Sequence, residues 1–194
     1  MRTVFFDVDT QNDFMLPAGA LYVPGAERLL PKIARLNRYA ASRGIPVISD
    51  TDAHTEDDPE FCDWPPHCVA GTLGQLKPAE TLLDKRVVIP STPGEYVIEE
   101  AEQIILQKQS LDCFTNPNLP AVLKQLNADR YVVYGVVTEY CVRFAALGLL
   151  KTGTRVELVT DAILSLKEED AARTIEEFLA GGGKLTTVEE VCSR

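Results

Sequence analysis

Short runs of β-branched and aromatic residues alternate along the chain with stretches whose apolar positions recur about every 3.6 residues. The runs at 3–8, 46–50, 104–107, 130–136, 155–160 and 184–187 predict six strands. The amphipathic stretches at 26–42, 118–127, 141–152 and 168–180 predict helices, the first with Leu29, Leu30, Ile33 and Leu36 on one face. Gly44, Gly153 and the run Gly181-Gly182-Gly183 end three of them. Strands that alternate with helices and lack hairpin signals predict a three-layer α/β/α fold around a six-stranded, mainly parallel, doubly wound sheet. Residues 51–98 break the rhythm: they are rich in Pro, Asp and His, with one short apolar piece at 87–89. A segment of that length is a candidate functional insertion within a single domain of residues 1–194.

Composition narrows the function. At 194 residues the chain buries roughly 70% of its unfolded surface, so it needs neither disulfides nor a structural metal to fold. A net charge of −10 with no Lys/Arg cluster argues against a nucleic-acid partner. No apolar run approaches the roughly 20 residues of a membrane span, and the N-terminus reaches charge at Asp7, too soon for a signal peptide. The expected location is cytoplasmic, and the five cysteines are then reduced thiols.

Candidate chemistry concentrates at strand ends and in the insertion. Both histidines, His54 and His67, lie in the insertion, with Asp52 two residues before His54 and Glu60 between them. Carboxylate and imidazole at that spacing on an extended segment reach one ion, and such mixed N and O ligands suit Zn, Fe or Mn. The alternative is that both histidines cap loops. Cys62 and Cys68 lack metal spacing and read as packing or bystander thiols. Cys141 follows an apolar strand and opens the 141–152 helix, where an N-terminus lowers a thiol pKa and offers free N–H groups. The alternative is a small buried hydrophobe. With the histidines committed elsewhere, a carboxylate must move the proton: Asp7 and Asp9 follow the first strand, and Lys108 follows the strand at 104–107.

These residues resemble the isochorismatase-like cysteine hydrolases, and within them the nicotinamidases (pyrazinamidases). The likeness runs from Asp9-Thr10-Gln11-Asn12-Asp13-Phe14, through Asp52-Ala53-His54 and Trp64-Pro65-Pro66-His67-Cys68, to Lys108 and Gly135-Val136-Val137-Thr138-Glu139-Tyr140-Cys141-Val142. It implies an Asp9-Lys108-Cys141 triad, metal ligation by Asp52, His54, His67 and Glu60, and an oxyanion hole from the Val137 and Cys141 N–H groups. It also implies a cis bond between Val136 and Val137 and a ring pocket walled by Phe14, Leu21 and Trp64. The implied activity is hydrolysis of nicotinamide to nicotinate and ammonia through a thioester, in NAD salvage, with one divalent ion, zinc before manganese or iron. The alternative is an amidase of the same superfamily acting on another small amide or carbamoyl compound. The expected partner is a small amide, and a homo-oligomer stays open. Two departures touch the pocket: Tyr140 before the nucleophile, and Gln109-Ser110-Leu111-Asp112-Cys113-Phe114 after the lysine. Cys113 and Cys192 carry no assigned role.

Overall fold

The computed structural model describes residues 1–193; Arg194, the last residue of the predicted 1–194 unit, lies outside the described residues. Strands β1 (Thr3–Val8), β2 (Val47–Asp52), β3 (Arg86–Ile89), β4 (Gln103–Lys108), β5 (Arg130–Val136), β6 (Arg155–Leu164) and β7 (Lys184–Thr186) form one sheet in the order β3-β4-β2-β1-β5-β6-β7. Every pair is parallel. The central strands are covered on both faces, so their side chains are largely apolar on both, with Asp7 and Asp50 buried among them. In β1, Val4, Phe6 and Val8 enter one core and Phe5 the other. Helices α3 (Leu119–Leu126), α4 (Arg143–Lys151) and α5 (Glu168–Ala180) cover the first face through Val122, Ala145, Leu149 and Phe178. Helices α1 (Asn12–Met15), α2 (Leu30–Ser42) and α6 (Val188–Cys192) cover the second through Met15, Ile33, Leu36 and Val191.

The sheet has seven strands, one more than the periodicity predicts. The addition is β3, which the sequence shows only as the apolar piece at 87–89. It lies at the sheet edge with Arg86 and Val88 exposed and only Ile89 fully buried, so it needs no long apolar run. The predicted 26–42 helix splits into a 3-10 turn, Ala26–Leu29, and α2, because Pro31 has no N–H to continue the ladder. The predicted 141–152 helix begins only at Arg143. Thr138–Val142 instead forms a π turn broken at Tyr140, where φ is −116° and ψ is −108°.

Chain order places the polar strand ends together. From β1 the chain steps to β2 and β4 on one side, then returns to β5, β6 and β7 on the other. The order therefore reverses between β1 and β5, and ligands of such sheets bind beyond the carboxyl ends of the strands at that reversal. Asp9 follows β1, Asp52 and Lys108 are opposite residues at the ends of β2 and β4, and Cys141 follows β5.

The reversal demands close backbone approach. Gly135 pairs with Val8 at φ +123°, and a Cβ there would sit 2.1 Å from the Val8 carbonyl oxygen. Gly135→Ala is expected to destabilise the fold by about 2 kcal/mol or more, read as a lowered urea midpoint. A midpoint equal to the parent's would contradict this account of the reversal.

Candidate active site

Lys108 anchors the site. Its side chain is fully buried, and its ammonium donates to Asp9 Oδ2 at 2.9 Å and to Asp52 Oδ1, with Cys141 Sγ 3.8 Å away. Burial alone would lower the lysine, but Asp52 and then Asp9 outweigh it and raise it well above its ordinary value. Asp52 answers in kind: burial would raise it, yet Lys108 and the two imidazoles hold it below the usual carboxylate range. Asp9 is left different. Burial, reinforced by the Asp52 charge, lifts it to about 6, and its Oδ1 is buried without a hydrogen-bond partner. Its backbone sits at φ +47°, a left-handed conformation that a non-glycine residue holds only where the surroundings impose it. Burial and then the charge of Asp9 also push the Cys141 thiol well above its usual value, against the lowering by Lys108. The thiol-lowering helix start expected from the sequence is absent, because Cys141 lies in the π turn ahead of α4.

Asp7 does not join this group. It lies inside β1, where Lys77 donates to it at 2.9 Å and Thr10 Oγ1 at 2.8 Å. Strand alternation ends at Val8, and the turn at Asp9 directs that carboxylate to Lys108. The structure has a cis bond between Val136 and Val137. The Val137 carbonyl accepts from the N–H groups of Tyr140 and Val142, which closes the turn that carries Cys141.

Beside the triad, Asp52, His54 and His67 offer three buried ligand atoms, all within 4.8 Å of one another. The imidazole Nε2 atoms stand 3.6 Å and 3.7 Å from Asp52 Oδ2, too far for hydrogen bonds, and His54 Nε2 has no partner although buried. Ligand bonds of about 2.1 Å place neighbouring donors of a tetrahedral ion on the order of 3.4 Å apart, close to these separations. Both rings are oriented from behind: His54 Nδ1 donates to Asp58 Oδ2 at 3.0 Å and His67 Nδ1 to Pro65 O at 2.8 Å. With Nδ1 committed as the donor, each ring presents an Nε2 lone pair to an ion once its second proton is displaced, which is how proteins orient metal-binding histidines. The cluster also favours positive charge. Burial works against a charged His54, yet Asp52 and Asp58 raise it to about 9. The donor set fits a divalent ion. Glu60 is outside the close trio but lines the same pocket.

That pocket encloses roughly 480 Å³, counting the volume open to solvent, and its wall includes Asp9, Asp52, Cys141, Phe14, Leu21 and Trp64. Phe14 and Phe61 flank His67, and Trp64 meets Tyr140 edge-on with ring centroids 5.4 Å apart. The two departures expected to touch the pocket do so through Tyr140 and Leu111; sequence reasoning did not single out Tyr22, Val23 or Leu166 as walls, nor Phe61 and Asp58 as supports of the histidines.

The opening motif gains its meaning here. The Gln11 side chain clamps Asp52 from both sides, accepting from its N–H at 2.7 Å and donating to its carbonyl at 2.8 Å. Asn12 donates to Leu73 O, and Asp13 accepts from the N–H groups of Cys68 and Ala20. Lys77 ties the same insertion to Asp7 and Thr10. Behind Asp9 lies Asp50, fully buried with neither carboxyl oxygen hydrogen-bonded, and burial followed by the Asp9 charge raises it well above the carboxylate range.

Residues 3–190 match the model of the isochorismatase domain family. A nicotinamidase of Escherichia coli (strain K12) is 29% identical over 94% of this chain and 93% of its own length. A nicotinamidase/pyrazinamidase of Mycobacterium tuberculosis (strain ATCC 25618 / H37Rv) is 26% identical over 96% of both chains. The structure superposes on a pyrazinamidase of Pyrococcus horikoshii in complex with zinc at a TM-score of 0.80, with 31% identity over 96% of this chain and 99% of that one.

The orienting role of Asp58 generates a test. Asp58→Ala is expected to weaken zinc binding about 10- to 100-fold, measured by competition with a chromophoric chelator. Unchanged affinity would remove Asp58 from the support of His54.

Proposed function

The chain belongs to the isochorismatase family and is a hydrolase acting on amide C–N bonds, and from this we propose that it converts nicotinamide to nicotinate and ammonia by a metal-dependent cysteine mechanism. The observation that carries the reading is one pocket lined both by Cys141 and Asp9 and by Asp52 and His67 of the buried Asp-His-His trio. A divalent ion held by Asp52, His54 and His67, with Glu60 beside them, would supply a Lewis-acid anchor for the pyridine nitrogen. Phe14, Leu21 and Trp64 would sandwich the ring, and the carboxamide would then face Cys141.

Burial and the Asp9 charge favour the protonated thiol, so attack in this reading is coupled to proton transfer. Asp9, ionised at neutral pH, takes the Cys141 proton on its free Oδ1 as the sulfur bonds to the amide carbon. Lys108 fixes the other oxygen of Asp9 and stabilises negative charge developing on the sulfur. The backbone N–H groups of Val137 and Cys141 receive the oxyanion, a contribution of about 3 kcal/mol per donor in such sites. Protonated Asp9 then gives its proton to the departing nitrogen, the C–N bond breaks, and ammonia leaves a Cys141 thioester. Water enters, loses a proton to Asp9 and adds to the thioester. Cleavage of the C–S bond frees the acid, and the proton returns to sulfur.

The decisive experiment is ammonia release from nicotinamide by protein as purified, after chelation, and after separate addition of Zn, Mn or Fe. Activity that disappears on chelation and returns with one metal supports substrate and site together. No release under any loading, with Cys141 still open to alkylation, would reject nicotinamide in favour of another small amide. Cys141→Ala is expected to abolish turnover with its urea midpoint nearly unchanged; an active variant would refute the nucleophile. Asp9 must be ionised to accept the thiol proton, so kcat/KM should fall about tenfold per pH unit below about pH 6. A flat profile down to pH 5 would assign the proton transfer elsewhere.

A further inference from the structure

Glu139 joins two parts of the pocket wall that lie far apart in sequence. It stands between Val137 and Cys141 in the π turn, and its Oε1 accepts from the N–H groups of Leu166 and Lys167, both at 2.9 Å. Its Oε2 is buried and has no hydrogen-bond partner among the described residues, so these two bonds are what hold the carboxylate there. The segment it grips is the entry to α5. That 13-residue helix starts from Lys167, which provides no side-chain cap, and the Glu139 carboxylate sits at its positive end on the two N–H groups just before the first turn.

Leu166 is the unexplained member of the pair. It is 43% exposed and belongs to neither apolar core, yet it lines the same pocket as Cys141, Tyr140, Trp64 and Leu111. Core packing does not account for its place at the pocket, whereas the two hydrogen bonds from its own N–H and the next reach directly into the nucleophile's turn.

We propose that Glu139 is a positioning residue that holds Leu166 as a wall of the substrate pocket, so that the size of the accepted ring is set from the turn that carries the nucleophile. The proposal rests on the reading of this pocket as a site for a compact ring amide. With the carboxylate removed, the segment before α5 loses its tether, the wall recedes, a small ring loses an apolar contact and a larger group gains room.

The test uses the intact protein and reads Cys141 alkylation by mass spectrometry of its peptide, with iodoacetamide and N-phenyl-iodoacetamide as small and bulky probes. Glu139→Ala and Leu166→Ala are each expected to raise the bulky-to-small rate ratio about tenfold, the usual scale for one apolar pocket contact. The double variant is expected to show the same ratio as either single one, because both act on one wall. Glu139→Gln keeps an oxygen acceptor at the same reach and is expected to stay within about twofold of the parent. With nicotinamide, both alanine variants should raise KM more than they lower kcat. An unchanged ratio in Glu139→Ala, effects that multiply in the double variant, or a Glu139→Gln protein as open as Glu139→Ala would overturn the assignment. Leu166→Ala removes no hydrogen bond and reports on the wall even if Glu139→Ala fails to fold. Failure of the parent to hydrolyse nicotinamide would reject that substrate while the alkylation ratios still decide the wall.

Discussion

A lysine ammonium with no exposure to water is the constraint around which this molecule is arranged. An unpaired charge at that depth would cost several kcal/mol, so Lys108 is tolerable only with its carboxylates in place. Those carboxylates come from the ends of two other strands: Asp9 after β1 and Asp52 at the end of β2. Pairing the charge therefore fixes the relative depth of β4, β2 and β1, and it sets Cys141 at the fourth strand end within 3.8 Å of the cation. Fold and chemistry meet in one ion cluster, and Asp52 serves in both because its second oxygen faces the two imidazoles.

The same cluster sorts protons. Asp52 is pulled below the usual carboxylate range by Lys108 and the imidazoles, Asp50 is pushed well above it by burial and the Asp9 charge, and Asp9 lies between them at about 6. The Cys141 thiol is raised rather than lowered. Sulfur that keeps its proton until a substrate arrives is less exposed to oxidation than a standing thiolate. In the proposed mechanism its reactivity would come from a neighbouring base with a free oxygen, not from a preformed charge.

Much of this was legible in the sequence, for reasons that particular residues make plain. β1 and β5 are buried on both faces and so appear as short, largely apolar runs, interrupted in β1 only by Asp7, and the polar residues just beyond them stand out. β3 shares its ladder with a single neighbour and leaves Arg86 and Val88 in water, so its pattern is too weak to read. Asp52, His54 and His67 were visible because both histidines of the chain fall in one insertion. Asp58, Lys77 and Glu139 were not. Acidic and basic residues are common on loops, and what distinguishes these three is a contact made only once the chain has folded: a ring nitrogen, Asp7, and the N–H groups at the start of α5. The break at Tyr140 was hidden too, because residues 141–152 keep a helical apolar pattern through the π turn.

The two margins of the sheet bear on how copies of the molecule meet. β3 has four residues and β7 three, and each opens on a basic side chain, Arg86 or Lys184. Such brief, charged borders give an incoming strand little ladder to extend, which is how natural sheets resist edge-to-edge aggregation. Subunits that associate would therefore do so through helical faces and loops, leaving the seven-stranded sheet closed to growth.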